Sequence, residues 1–243
     1  MADPHSYPDQ QHDLVMFNMS TMSDWSGGIV NRNYNVLHSL AKDKRIRKIV
    51  AVDFLPIGIK KAIKHYWQNI VREVKTAELV YGDLTSACYQ KSSDFYVYST
   101  IDSLFSWKIV ARELRRIEKV LDLQNIIFWS YNPMFVRYIG KLREEMFVFD
   151  TVDNWLEHAS YTALMPRQKL RENYALIAET ADVIFTVADE LRDFYRDFNR
   201  EENVFWVPNC VDYDHFNDAS VLGLETELSA IKEPVIGYLG TIQ

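Results

Sequence analysis

The chain has 243 residues, 48% hydrophobic, 25% charged and 14% aromatic, which is enough apolar material for one large core plus a fragment and excludes a disordered chain. A net charge of −7 speaks against a general binder of nucleic acid. Cys88 and Cys210 lie far apart, without the CxxC or Cys/His spacing of a disulfide framework or a structural zinc site.

The first residues, Met1 to Asp13, are polar and contain Pro4 and Pro8; they lack the basic start and apolar run of a signal peptide, so residues 1–12 read as a flexible tail. No later run approaches the roughly 20 apolar residues needed to span a bilayer. The expected setting is the cytoplasm, with any membrane contact made from the inner face.

From Asp13 onward, short apolar runs alternate with stretches of helical period, the pattern of a Rossmann-like three-layer α/β sandwich with a mostly parallel sheet. Strands are expected at residues 14–19, 48–54, 95–99, 126–129, 146–149, 183–187 and 204–207. Helices are expected at 32–41, 104–121, 135–143, 167–181 and 190–198. In the second of these, Val110, Leu114, Ile117 and Leu121 share one stripe, as a crossover helix requires. Residues 57–85 stay open: Ile63, Trp67, Ile70 and Val74 suit a helix, whereas Leu79, Val80 and Tyr81 suit a short strand. Residues 218–233 read as a polar linker.

In such a sheet, ligands bind beyond the carboxyl ends of the strands, so the residues just after each strand carry the interest. After the first strand come Gly27, Gly28 and Arg32 at the start of a helix. Glycines let the backbone approach a ligand closely, and a helix N-terminus favours an anion such as a diphosphate; a plain turn needing positive φ fits the same residues. The dinucleotide fingerprint G-x-G-x-x-G is absent. The segment from Phe149 to Trp155 ends an apolar strand with two carboxylates, Asp150 and Asp153. These suit sugar hydroxyls or proton transfer, and Trp155 suits stacking on a sugar face, although Asp150 also suits a helix cap. A Mg²⁺ or Mn²⁺ site at the two carboxylates is the weaker reading, and no metal or cofactor is expected. Finally, Lys60, Lys61, Lys64 and Arg72, with Trp67 among them, form a basic, aromatic-bearing stretch that fits either a solvated helix face or peripheral contact with anionic lipid.

The run Val204-Phe205-Trp206-Val207-Pro208-Asn209-Cys210-Val211-Asp212, with Phe216 close behind and Pro234-Val235-Ile236-Gly237-Tyr238-Leu239-Gly240 further on, resembles the inter-domain junction of GT-B-fold glycosyltransferases. The likeness is to the large retaining, family 4-like group. Phe149 to Trp155 and Ala181 to Leu191 are similar to two further segments of that group, with Cys210 standing where glycine is usual. The resemblance implies that residues 13–220 are the acceptor-side N-terminal domain and residues 221–243 a linker and the first strand of a donor-binding domain. It further implies transfer of a sugar from a nucleotide-diphosphate donor to a polysaccharide or lipid-linked acceptor, in bacterial surface or cell-wall polymer assembly. Asp153 would orient the acceptor, with Gly27, Gly28, Arg32, Asp150, Trp155 and Asn209 binding substrate. The chain alone would be inactive, since the donor half is missing from it. Two rivals are a GT-B-fold sugar-nucleotide epimerase and a non-catalytic carbohydrate-binding or scaffolding domain.

Overall fold

The computed structural model describes residues 10–53, 55, 59–69, 77–102, 106–209 and 217. Arg72, Cys210, Asp212, Phe216 and the expected linker and strand at 221–243 lie outside them. The chain divides into two compact units after Pro208, and the sheet lies within the first.

Among the described residues, nine strands form one sheet in the order β3-β4-β5-β2-β1-β6-β7-β8-β9. They are β1 (His12–Phe17), β2 (Ile46–Val52), β3 (Glu78–Gly82), β4 (Ser86–Ser92), β5 (Phe95–Thr100), β6 (Ile126–Ser130), β7 (Met146–Thr151), β8 (Val183–Thr186) and β9 (Val204–Trp206). Every pairing from β5 across to β9 is parallel; β4 runs antiparallel to both β3 and β5. The helices are α1 (Met22–Ser26), α2 (Arg32–Leu40), α3 (Ile59–Asn69), α4 (Trp107–Val120), α5 (Ala159–Thr162), α6 (Arg167–Thr180) and α7 (Asp189–Phe194). The architecture is the expected Rossmann-like α/β sheet with helices on both faces.

Alternation along the strands explains the two-sided burial. Leu14 and Met16 of β1 join Ile49, Ala51, Trp25 and Leu37 in the core beneath α1 and α2. Val15 and Phe17, one residue out of step, join Val50, Val52, Phe128 and Phe149 in the core beneath α4 and α6. Val110, Leu114, Ile117 and Leu121 of the expected stripe are all 7% exposed or less. Their burial against the sheet contributes about 1.5–3 kcal/mol each before chain entropy is counted. Two acids share that buried face. Glu113 accepts from the Tyr98 hydroxyl and Glu118 pairs with Arg143, so each buried carboxyl has a polar partner.

Three expectations change. The helix expected at 135–143 is a 3-10 turn, Pro133–Tyr138; Gly140 follows at φ 72° and Arg143 at φ 50°, conformations that end a helix. A short helix, α1, stands ahead of the two glycines, started by Thr21 and Asp24, which cap it reciprocally. Strand β4 has no counterpart among the expected strands, and the described part of the open segment 57–85 holds α3 and β3, with Ile70 and Val74 outside the described residues.

Candidate functional site

The strand order reverses at β1: the chain moves outward through β2 and later returns to β6 on the other side. A sheet that reverses in this way opens a crevice at the carboxyl ends of the strands. Here those ends are unusually polar for buried positions. Asn18 follows β1, Asp53 follows β2, Asp150 and Thr151 close β7 and Thr186 closes β8; all are buried, Asn18, Asp150 and Thr186 completely.

Arg32 and Asp150, 118 residues apart, meet here. Arg32 is the first residue of α2, and its Nε lies 3.0 Å from both carboxylate oxygens of Asp150. Its Nη1 reaches the carbonyl of Pro208 at 3.3 Å. The side chains are 9% and 0% exposed, so the pair is withdrawn from solvent. Burial holds the Asp150 carboxyl above its ordinary value, and the Arg32 hydrogen bonds and charge pull the other way. The neighbouring Tyr131 phenol is pushed well above its ordinary value by burial first and by the Asp150 charge second. Among the described residues Asp150 caps no helix: its two oxygens face Arg32.

At the neighbouring strand ends and on α2 lie groups that sequence reasoning missed. Ser20 donates to Asn33 Oδ1 at 3.1 Å and accepts from Trp25 Nε1 at 2.6 Å. Asp53 Oδ1 accepts the Met22 amide at 2.9 Å, tying the first turn of α1 to the end of β2. Both amide atoms of Asn18, the Asn33 Nδ2 and the Thr186 hydroxyl have no hydrogen-bond partner among the described residues. A buried polar group left so costs about 1–3 kcal/mol, and ordinary interiors satisfy it with water or a ligand. The rule that strand ends carry function would have found Asn18 and Asp53, each the first polar residue after an apolar run. Asn33 and Thr186 show only in three dimensions.

The other expected residues do not join this cluster. Gly27 and Gly28 sit in an exposed turn, Gly28 at φ +85° and Gly27 at φ −84°, so only Gly28 needs glycine's freedom. Trp155 is 3% exposed and stacks on Tyr161 with ring centroids 3.6 Å apart, so its ring belongs to the core; the expectation of a sugar-stacking platform does not hold in this structure. Asp153 is exposed, and its carboxylate makes no hydrogen bond among the described residues; only its carbonyl is used, by the Tyr174 hydroxyl. Desolvation nevertheless raises the Asp153 carboxyl, with His158 opposing. His158 precedes α5 and provides no side-chain cap. Asn209 is exposed and falls past the division at Pro208. A concavity of about 330 Å³ lies elsewhere, between α1, α2 and the start of β5, walled by Trp25, Tyr34, His38 and Phe95. We place the candidate site at the strand ends instead, because the buried charges and unsatisfied polar groups are there.

No model of a known protein family matches the chain, and no curated protein matches it. Among solved structures it is similar to the crystal structure of an alpha,alpha-trehalose-phosphate synthase (UDP-forming) from Burkholderia vietnamiensis, at 11% identity and a TM-score of 0.49. That likeness covers 89% of this chain and 53% of the synthase, so the chain spans about half the length of the protein it matches. A likeness this distant bears on neither family nor chemistry.

Proposed function

We propose that this unit is the acceptor-side half of a GT-B-type, retaining glycosyltransferase that uses a nucleotide-diphosphate sugar. The single observation that carries the proposal is the set of buried, unspent hydrogen-bonding groups on Asn18, after β1 where the sheet reverses, and on Asn33, next to Arg32 of the Arg32–Asp150 pair. A polyhydroxylated ligand supplies the donors and acceptors these groups lack. The motif resemblance at Phe149 to Trp155 and around Pro208 and Asn209 supports the same reading.

In this reading each residue has a limited task. The charge of Arg32 is largely answered by Asp150, so the pair fixes the N-terminus of α2 against β7 and shapes the crevice. Asp153, exposed and with its carboxyl raised above the ordinary value by desolvation, is our candidate to accept a hydrogen bond from an attacking hydroxyl and to take its proton. Stabilising the departing diphosphate, commonly the main source of rate enhancement in such chemistry, falls to a donor-binding half. The acceptor is a glycan or a lipid-linked sugar. A lipid-linked acceptor would bring the lysines of α3 to a membrane surface.

The test uses Asn18→Leu, nearly isosteric and apolar. Saturation-transfer NMR against a panel of mono- and oligosaccharides is expected to show binding to the native chain and its loss in Asn18→Leu. The same variant is expected to unfold at a higher temperature, because the unsatisfied amide is gone. No nucleotide is expected to be released from UDP-, GDP- or TDP-sugars by the chain alone. Saccharide binding unchanged by Asn18→Leu removes the crevice from the proposal, and sustained nucleotide release by the chain alone removes the need for a second half.

A further inference from the structure

Among the described residues, helix α3 is held by one face. Ala62 is fully buried and Tyr66 is 7% exposed, one turn apart on the side that packs against α1 and β5. On the other side, Lys60, Ile63, Lys64 and Trp67 stand at the i, i+3, i+4 and i+7 positions of a single stripe. At about 100° per residue the four fall within an arc of about 100°, centred well away from the Ala62–Tyr66 side. The lysines of that stripe and Lys61 beside it are exposed, Ile63 is 43% exposed and Trp67 is 59% exposed. No helix among the described residues is long and apolar enough to cross a membrane.

A face that mixes cations with large apolar side chains is not explained by solubility alone. Lysines suffice for that, and an indole and a sec-butyl group left in water are unfavourable. Nucleic acid suits the face less well: the chain carries a net charge of −7, and although a base can stack on Trp67, the aliphatic Ile63 in mid-stripe offers it no such platform. An anionic bilayer answers both halves of the stripe. Its headgroups neutralise the lysines, and its headgroup–acyl boundary accepts indole and aliphatic side chains. The helix lies parallel to such a surface because its inner face is committed to α1 and β5.

We propose that α3 docks the protein on the surface of an anionic bilayer, with Trp67 and Ile63 seated at the headgroup–acyl boundary and Lys60, Lys61 and Lys64 against lipid phosphates. Helix α3 packs on α1, whose first turn is tied to Asp53 at the candidate site, so the helix neighbours the end of the sheet where ligands are expected while its docking face is turned outward. Docking does not rest on the transferase reading and is measured without donor or acceptor.

The experiment is co-sedimentation of the full chain with vesicles of phosphatidylcholine alone or of phosphatidylcholine mixed with phosphatidylserine. Binding is expected only to the mixed vesicles, weakening as salt is raised. Lys60→Glu with Lys64→Glu is expected to lower vesicle affinity by at least about tenfold, from two charge reversals near the surface. Trp67→Ala is expected to lower it too, and its loss is expected to persist at low salt, where electrostatics alone favours binding. All these side chains are exposed, so the variants are expected to keep the native melting temperature, which is checked alongside. No pelleting, pelleting indifferent to lipid charge, or pelleting unchanged by the lysine reversals overturns the proposal. So does capture by soluble polyglutamate that matches vesicle binding and survives Trp67→Ala, since the lysines would then serve an acidic protein.

Discussion

Replacing Arg32 by Met is the sharpest test of the geometry, because its cost should depend on pH in a way that mere loss of packing does not. Asp150 is fully buried, and its carboxyl already sits above its ordinary value of 3.8 through burial, with Arg32 as the counterweight. A carboxyl that binds protons more readily folded than unfolded contributes most below about pH 4, its unfolded value, and loses stability as pH rises through its folded value. Without Arg32 the folded value moves further up, so the losing window widens toward neutrality. Removing one partner of a buried pair costs about 3–5 kcal/mol while the other stays charged. Protonation caps that cost, which shrinks by about 1.4 kcal/mol for each pH unit below the folded value.

For a unit of this size each kcal/mol corresponds to roughly 2–4 °C in melting temperature, so a loss of about 3 kcal/mol predicts a drop of roughly 6–12 °C at pH 7.5. The drop should shrink to a few degrees near pH 4.5. Scanning calorimetry of the native chain and Arg32→Met across that range measures it. Adding Asp150→Leu to Arg32→Met should recover much of the loss at neutral pH, since an apolar pair leaves no charge uncompensated. A drop that is equal at both pH values, or a double variant worse than the single one, refutes the account of Asp150 as a charge held by Arg32.

Other positions give independent checks. Gly28→Ala places a side chain at φ +85° with no neighbour within 4 Å, so only backbone strain opposes it, and a loss of about 1 kcal/mol is expected by thermal melting; an unchanged melting temperature would show the turn relaxing freely. Asn18→Leu should raise stability by about 1–3 kcal/mol in urea titration, and a lower midpoint would mean that the amide is satisfied by bound water in solution. Asp153→Ala should change stability by less than about 0.5 kcal/mol, because its carboxylate holds no helix among the described residues, whereas, on the proposed function, Asp153→Asn in a transferase assembled with a donor-binding half should slow transfer; normal turnover takes Asp153 out of the proposed chemistry.

Legible in the sequence is whatever repeats at short range. The apolar runs of β2, β6 and β8 and the stripe of α4 announce themselves because burial on both faces, or on one helical face, leaves a pattern within a dozen residues. Strand β4 escapes such reading because its sequence, Ser-Ala-Cys-Tyr-Gln-Lys-Ser, ends in polar residues and its stability comes from pairing with β5 rather than from its own composition. Helix α1 is hidden by its brevity, although Thr21 and Asp24 carry the spacing of a reciprocal cap. Trp155 misleads for another reason: residue type says that an indole stacks, and only the fold says that it stacks on Tyr161.

The choice between the two carboxylates near the end of β7 follows from strand alternation carried across the sheet. Met16 of β1 pairs in register with Trp129 of β6, and Trp129 with Val148 of β7, so these three residues share the face that α2 covers. Two residues beyond Val148 on the same face is Asp150, still inside the strand and paired with Phe185. Phe149 and Thr151 point the opposite way, Phe149 into the core beneath α6 and Thr151 to the Tyr195 hydroxyl at 2.6 Å. Asp150 is therefore delivered beneath α2 as a buried anion, and the first residue of that helix is the arginine that answers it. Asp153 lies past the end of the strand, where alternation no longer dictates a side, and it stays exposed with its carboxylate unspent. One strand end thus separates a structural carboxylate from a chemically available one, and a single residue inserted between Val148 and Asp150 would be expected to exchange Asp150 with its neighbour across the sheet and break the pair with Arg32.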